Sequence, residues 1–155
     1  SKNAALPLLA AGLLSDKNLK LTNLPDLEDI KTMLKLLGEL GLEVNQQSDF
    51  TAVKASKILS HRADYDLVRK MRASFLTLGP LLAREGFGEV SLPGGCAIGT
   101  RPIDIHLLAF QSLGASIDVI DGYVKAKSPR DGLRGNKIFS LLIVNKNQIH
   151  LECLF

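Results

Sequence analysis

The chain has 155 residues and a formal net charge of +3, and its composition is 46% hydrophobic and 23% charged. This length and composition predict a soluble α/β protein that can bury one sizeable core. The mild charge and the aromatic content of 5% argue against a nucleic-acid surface, and the longest apolar stretch, 4–14, is too short to span a bilayer.

The first half of the chain predicts a helix, a strand, a second helix and two further strands. The stretch 3–14 has a helical apolar pattern, and 19–22 alternates like a short strand. We expect the second helix to take its N-cap from Asp26 and to end at Gly41. The two further strands are predicted at 42–45 and 51–55.

The same order recurs in the second half of the chain. The recurring elements are one long helix, a strand, a second helix and two strands, at 66–84, 89–92, 102–113, 117–120 and 123–127. Gly41 matches Gly114 and Lys54 matches Lys125, with offsets of 73 and 71 residues. A period of this length predicts a duplicated βαβαββ unit with a sheet on one side and two helices on the other. The two units are predicted at 1–60 and 61–128.

The repeat also aligns Arg72 with Asn3, 69 positions apart. Both residues open an Ala-rich apolar run, so the two side chains could converge on one anion from equivalent points of two packed helices. The apolar sequence around Arg72 predicts that it lies in the core with a partner. Lys2 and Asn3 form either an ordinary polar helix start or an anion clamp that uses the helix dipole. Arg69 and Lys70 are predicted to form a solvated face.

A glycine-rich loop that holds one cysteine follows the strand of the second unit. The loop spans 91–100 (SLPGGCAIGT), and 101–104 (RPID) then opens a helix. Glycines allow close backbone approach, and an arginine at a helix N-terminus stabilises a thiolate or a bound phosphate. Cys96 is therefore the strongest candidate for chemistry, and the alternative is a small buried hydrophobe. Asp104 and His106 are predicted to be a first-turn acid and a surface or hydrogen-bonded histidine.

The cysteine usage indicates a reducing cytoplasm. Cys96 and Cys153 lie far apart, with no CxxC spacing and no histidine pattern between them, so neither a disulfide framework nor a zinc site is predicted. No dinucleotide fingerprint, phosphate-loop lysine or pair of carboxylates is present in the sequence either. We therefore predict neither a cofactor nor a metal ion.

Four stretches carry a family resemblance: 1–7 (SKNAALP), 64–74 (DYDLVRKMRAS), 78–83 (LGPLLA) and 91–104 (SLPGGCAIGTRPID). Together they resemble the UDP-N-acetylglucosamine 1-carboxyvinyltransferases of the enolpyruvyl transferase family. The resemblance implies an inside-out α/β barrel made from repeated βαβαββ units. This chain would then hold one incomplete domain, 1–138, with two units and the start of a third.

The resemblance also implies an activity. Enolpyruvyl would pass from phosphoenolpyruvate to the 3′-hydroxyl of UDP-N-acetylglucosamine with release of phosphate, the first committed step of peptidoglycan synthesis in the bacterial cytoplasm. Cys96 would protonate the methylene carbon of phosphoenolpyruvate and could form a phospholactoyl thioether with it. Lys2 and Asn3 would hold phosphoenolpyruvate. The UDP-sugar would contact Arg72, Arg101, Pro102, Ile103, Asp104 and Ile105.

Finally, the resemblance predicts an N-terminal-half fragment that is inactive alone, because the opposing domain that completes the cleft is missing. The family pattern stops at Ile138, and 139–155 is expected to be a divergent tail, which a frameshift, an assembly error or a decayed gene would explain. Two alternatives remain open: a non-catalytic UDP-sugar or phosphate-binding module with an inert Cys96, and a decayed gene product that folds only partly. The shikimate-pathway enolpyruvyl transferase is disfavoured because its loop lacks the Pro-Gly-Gly-Cys arrangement.

Overall fold

The computed structural model describes residues 1–92, 103–136, 139–144 and 147–152. The helices are α1 (Lys2–Ala11), α2 (Glu28–Leu40), α3 (Tyr65–Val68), α4 (Leu78–Glu85) and α5 (Asp104–Ser112), with 3-10 turns at Gly12–Leu14 and Arg72–Thr77. The strands are β1 (Leu19–Thr22), β2 (Glu43–Gln46), β3 (Phe50–Lys54), β4 (Arg62–Ala63), β5 (Phe87–Ser91), β6 (Ser116–Ile120), β7 (Tyr123–Lys127), β8 (Phe139–Val144) and β9 (Asn147–Glu152). The predicted mixed α/β class is confirmed.

Two sheets repeat one strand order. The first sheet is β1-β3-β2 and the second is β4-β5-β7-β6, so the second repeats the first and adds β4, which pairs in parallel with β5. The register repeats as well. Leu19 pairs with Val53 in the first sheet, and Val90 pairs with Val124 in the second, and each residue of the second pair lies 71 positions after its counterpart in the first. The predicted duplication is therefore present in the hydrogen bonding of the sheets. Strands β8 and β9 form a separate antiparallel pair.

The helices α2 and α5 end in the same way. Gly41 has φ +111° and Gly114 has φ +95°, a conformation that glycine adopts without the steric cost of a Cβ atom. After each glycine, the next N–H donates to the carbonyl five positions earlier, at 2.9 and 3.0 Å. This is the glycine-terminated cap that satisfies the last carbonyls of a helix. Both predicted helix ends are confirmed, and they repeat with the units.

The prediction of one long helix over 66–84 is wrong. The segment divides into α3, the 3-10 turn and α4, and Met71 between the first two has an extended backbone with φ −148°. Pro80 gives one physical reason, since proline lacks the N–H of a helix interior and is tolerated only in the first turn. Accordingly α4 begins at Leu78, two residues before the proline. Strand β4 was missed because two residues are too few to show an alternating pattern.

Two predicted helix starts also need correction. The N-cap of α2 is Leu27 rather than Asp26, and no side chain caps the helix. The carboxylate of Asp26 instead pairs with Lys31, with 2.8 Å between Oδ1 and Nζ. The helix predicted from Pro102 begins at Asp104. Pro102 itself lies outside the described residues.

One hydrophobic core joins the two units. Leu9 of α1, Leu37 of α2 and Leu81 of α4 are fully buried and belong to the same cluster. The apolar residues of α2 that recur with helical spacing are all buried: Ile30, Met33, Leu34, Leu37 and Leu40. Helix α5 differs, since none of its residues is buried and Ile105 and Leu108 are exposed. The second helix of each unit therefore contributes very unequally to the core.

Arg84 on α4 ties the second unit to the first. Its side chain is only 19% exposed, and its guanidinium donates to the carbonyl oxygens of Leu13 and Ala55 at 2.9 and 2.8 Å. Leu13 lies in the turn after α1, and Ala55 directly follows β3. The planar guanidinium of Arg84 thus donates to two separate segments of the first unit, a geometry that suits arginine better than lysine.

We expect Arg84→Met to lower the free energy of unfolding by about 2 kcal/mol, since hydrogen bonds from a charged donor are lost and two carbonyls are left unsatisfied. Arg84→Lys should recover only part of this loss. The measurement is urea denaturation followed by circular dichroism. Arg134→Met is the control, because Arg134 is 74% exposed and pairs only with Asp131 among the described contacts. Equal losses in the Arg84→Met and Arg134→Met variants would contradict the proposed tie.

Candidate functional site

A cleft of about 460 Å³ lies where α1, α2, the turn after α3 and the start of α5 meet. Its wall is partly apolar, with Leu6, Phe75 and Ile103 among the lining residues. Its polar lining is mainly basic and comprises Lys2, Asn3, Asp29, Arg69, Lys70, Arg72 and His106. Elements from both units therefore build one concave surface, the usual form of a small-molecule site.

Four of the nine residues predicted for substrate contact or catalysis come together in this cleft. They are Lys2, Asn3, Arg72 and Ile103. Asp104 and Ile105 lie in the first turn of α5, are exposed and, among the described residues, are not part of the lining. The other three predicted site residues, Cys96, Arg101 and Pro102, lie outside the described residues.

Asn3 and Arg72 occupy the places that the repeat predicts. Asn3 is the second residue of α1, and Arg72 is the first residue of the 3-10 turn 72–77. Both line the cleft, so the two aligned positions do converge on one space. The expectation that Arg72 is buried in the core is wrong: the residue is exposed, because Met71 and Phe75 beside it take the buried positions.

The cleft carries a net positive charge. Lys2, Arg69, Lys70 and Arg72 contribute four cations, and Asp29 contributes the one carboxylate of the described lining. Lys2 and Asp29 pair at 2.8 Å between Nζ and Oδ2. A concave surface with this excess of one charge concentrates anionic ligands.

Asp29 brings the starts of two helices together. It lies in the first turn of α2, and Lys2 is the first residue of α1, which packs against α2. The side chains of Lys2 and Asp29 are 46% and 34% exposed. The ion pair therefore remains accessible to a ligand, and it is weakened by competing ions.

His106 of α5 faces the same cleft. Its ring centroid lies 5.9 Å from that of Phe75. Partial desolvation, and then the charge of Arg72, lower the pKa of His106 below its ordinary value of 6.5. The imidazole is consequently neutral near pH 7 and can accept as well as donate a hydrogen bond.

The lowered pKa of His106 predicts a pH dependence of stability. Below the ordinary value of 6.5 the unfolded chain binds a proton that the folded chain does not, so stability falls as the pH is lowered through that value. His106→Gln should remove this component, as measured by urea denaturation at about pH 7.5 and about pH 5.5. Arg72→Met should remove only the smaller contribution, which comes from charge. An unchanged pH dependence in His106→Gln would contradict the assignment.

Sequence reasoning missed four members of the cleft. Arg69 and Lys70 are exposed as predicted, but they also line the cleft, together with His106 and Asp29. Spacing along the chain gave no signal for Asp29, because its role depends on the packing of α1 against α2. For His106, the one available signal was its position in the helix that follows the cysteine loop.

Within the part of the chain that the structure describes, no helix is both long and apolar enough to cross a bilayer. The same described residues contain no group of three or more His, Cys, Asp and Glu side chains that could hold a metal ion.

A protein-family model matches most of the chain. Residues 1–141 match the model of EPSP synthase (3-phosphoshikimate 1-carboxyvinyltransferase). A UDP-N-acetylglucosamine 1-carboxyvinyltransferase of Cereibacter sphaeroides is 56% identical over 140 residues, which are 89% of this chain and 33% of that protein. A protein of the same name from Paracoccus denitrificans is 54% identical over 151 residues, 96% of this chain and 35% of that protein. The chain thus spans about a third of the length of these curated relatives.

Solved structures show the same fold. The enolpyruvyl transferase NikO from Streptomyces tendae aligns with 86% of this chain and 29% of its own, at a TM-score of 0.72 and 20% identity. The EPSP synthase of Acinetobacter baumannii aligns with 83% of this chain and 30% of its own, at a TM-score of 0.58 and 14% identity. The predicted relation to the enolpyruvyl transferase fold is confirmed.

Proposed function

Because the chain belongs to the EPSP synthase family, we propose that it forms part of the site of an enolpyruvyl transferase. The reaction is transfer of enolpyruvyl from phosphoenolpyruvate to the 3′-hydroxyl of UDP-N-acetylglucosamine, with release of phosphate. The names of the relatives that are 54% and 56% identical support transfer of a carboxyvinyl group to UDP-N-acetylglucosamine. The observation that carries the proposal is the convergence of Lys2, Asn3 and Arg72 in one basic cleft.

Lys2 and Asn3 are proposed to hold phosphoenolpyruvate. They occupy the first two positions of α1, where a helix favours an anion. The ammonium of Lys2 supplies a mobile point charge, and the amide of Asn3 supplies two N–H donors. A phosphate and a carboxylate on one small substrate can each use such donors.

Arg72 and the segment 101–105 are proposed to contact UDP-N-acetylglucosamine. A diphosphate suits the planar guanidinium of Arg72, which can donate two parallel hydrogen bonds. Ile103 is 7% exposed and lies in the cleft, so the start of α5 is close enough to take part. Asp104 and Ile105 follow it in the first turn of α5.

Cys96 is proposed as the general acid. Its thiol gives a proton to the methylene carbon of phosphoenolpyruvate, and the oxocarbenium-like carbon that results is attacked by the 3′-oxygen of the sugar, whose proton passes to the phosphate group. The tetrahedral adduct then loses hydrogen phosphate from this carbon and returns a proton from the new methyl group to the Cys96 thiolate, which leaves the enolpyruvyl ether. Donors that stabilise the departing phosphate and a site closed to water favour both stages.

The proposal has a cellular and a structural context. The product is the first committed intermediate of bacterial peptidoglycan synthesis, so the enzyme is proposed to work in the cytoplasm. The matched relatives are about three times as long as the matched segment. We propose that the unmatched two thirds of such relatives correspond to the part of the enzyme that supplies the opposing wall of the cleft. We also propose that this 155-residue chain releases no phosphate alone.

Two experiments test the proposed function. Calorimetry on the 155-residue chain should detect binding of phosphoenolpyruvate or UDP-N-acetylglucosamine that Arg72→Met weakens. A chimera with residues 1–138 of this chain in place of the matching segment of the Cereibacter sphaeroides relative should release phosphate when both substrates are supplied. A folded chimera without phosphate release would overturn the catalytic proposal.

A second candidate function is a non-catalytic phosphate or UDP-sugar binding module. One observation favours it: the described residues of this chain supply the basic lining of the cleft themselves. Ligand binding by the chain, combined with a chimera that folds and binds but does not turn over, would support the module.

A further inference from the structure

We propose that Asp29 is an internal counter-ion that Lys2 exchanges for the phosphate group of a ligand. Nζ of Lys2 and Oδ2 of Asp29 are 2.8 Å apart, and both residues line the cleft. The inference rests on the proposed function of the cleft as an anion site. It adds a positioning residue that touches the cation rather than the substrate.

The charge distribution shows why an exchange is expected. Asp29 is the only acidic side chain among the described residues that line the cleft, which also contains Lys2, Lys70 and Arg72. In the empty cleft its carboxylate is thus the one anionic group of this lining that can hold Lys2. A bound phosphate carries more charge than a carboxylate and is attracted by all the cations together, so it can displace Asp29 from Lys2.

Because the ion pair is exposed, the free-energy cost of breaking it is small. The side chains of Lys2 and Asp29 are 46% and 34% exposed, and ion pairs of such exposure are weak because water and salt screen them. Breaking the pair leaves Asp29 in the first turn of α2, where a helix N-terminus stabilises a carboxylate. The Asp29 carboxylate is therefore stabilised both when it pairs with Lys2 and when a ligand has displaced it.

The charge of the ligand sets how strongly Asp29 opposes its binding. The free-energy cost of breaking the ion pair between Lys2 and Asp29 is the same for every anion, whereas repulsion from the released carboxylate grows with the charge of the ligand. A phosphate dianion gains more from the cations than acetate does, and it is also repelled more strongly by Asp29. Asp29 thus weakens the binding of phosphate more than the binding of acetate.

The test uses the 155-residue chain with inorganic phosphate and acetate as probes. Asp29→Asn should bind phosphate roughly three- to tenfold more tightly and acetate more tightly by a smaller factor, because the repulsion that is removed grows with the charge of the ligand. The matched control is Asp26→Asn, because Asp26 forms an ion pair of the same 2.8 Å length with Lys31 outside this cleft. It should leave both affinities unchanged.

A second measurement does not depend on a variant. In the unmodified chain, phosphate should shift the carboxyl ¹³C resonance of Asp29 and leave that of Asp26 in place. The counter-ion proposal is overturned if Asp29→Asn leaves the affinity for phosphate equal or lowers it. It is also overturned if phosphate binds the unmodified chain without shifting the Asp29 resonance. Absence of binding by both the unmodified chain and Asp29→Asn overturns the anion site and the counter-ion together, so the two failures are distinguishable.

Discussion

Phosphate release by the chimera should fall by a factor of about 10² to 10⁴ when Cys96 is replaced by alanine, the usual contribution of a general acid. Alanine has no proton to give to the methylene carbon of phosphoenolpyruvate, whereas the cations of the cleft that are proposed to bind the substrates are unchanged. The loss should therefore lie in kcat, with KM for both substrates little altered. Initial rates of phosphate release over a range of substrate concentrations measure the two constants separately.

Cys96→Asp is the informative companion variant. A carboxylic acid can donate a proton, so turnover should recover to a level above that of Cys96→Ala. A carboxyl group cannot form a thioether, so intact-mass spectrometry should detect a phospholactoyl adduct only with the cysteine. Full activity of Cys96→Ala would show that this residue does not supply the proton.

The largest effect on stability is expected for Gly41→Ala, with a loss of about 3 kcal/mol in the free energy of unfolding. Gly41 has φ +111°, and an added Cβ would lie 2.7 Å from both the backbone nitrogen of Leu59 and the carbonyl oxygen of Lys57. Neither backbone atom can move aside as a flexible side chain would. Backbone strain and steric overlap therefore add together, and urea denaturation measures the sum.

Two other glycines separate these contributions. Gly122 has φ +78° but open space around it, so Gly122→Ala should show the strain alone, about 1 kcal/mol. Gly38 is in the middle of α2 with nothing within 4 Å of an added Cβ, so Gly38→Ala should stabilise the protein by roughly 0.5 to 1 kcal/mol. A Gly41→Ala loss no greater than that of Gly122→Ala would show that the contact with 57–59 relaxes freely.

The sequence predicted those parts of the fold that depend on local periodicity and on glycine. The apolar spacing of α2 and the glycines at 41 and 114 each indicate one conformation, and the structure has it. The break inside 66–84 was missed because the apolar residues there suit a helix, and tertiary packing together with Pro80 decides against a continuous one. Local pattern thus predicts a helix more reliably than it predicts an interruption.

The cleft was predictable only in part, for a different reason. The repeat brought Asn3 and Arg72 into correspondence, and that correspondence has a physical counterpart because both open helical segments that pack together. Asp29 enters the cleft only through the packing of α1 against α2, so no spacing within the chain indicates it. The burial expected for Arg72 failed because its apolar neighbours, rather than the arginine, face the core.

The unequal burial of α2 and α5 has a consequence for how the cleft responds to a ligand. Helix α2 is anchored in the shared core, whereas α5 buries none of its residues and should undergo local opening at a smaller free-energy cost. Ile103 and His106, at the start of α5, nevertheless form one wall of the cleft. A ligand that contacts this wall requires α5 to be folded, so we expect ligand binding to slow amide hydrogen exchange in α5 more than in α2. The observed free energy of binding is then reduced by the cost of ordering α5, the less stable of the two helices.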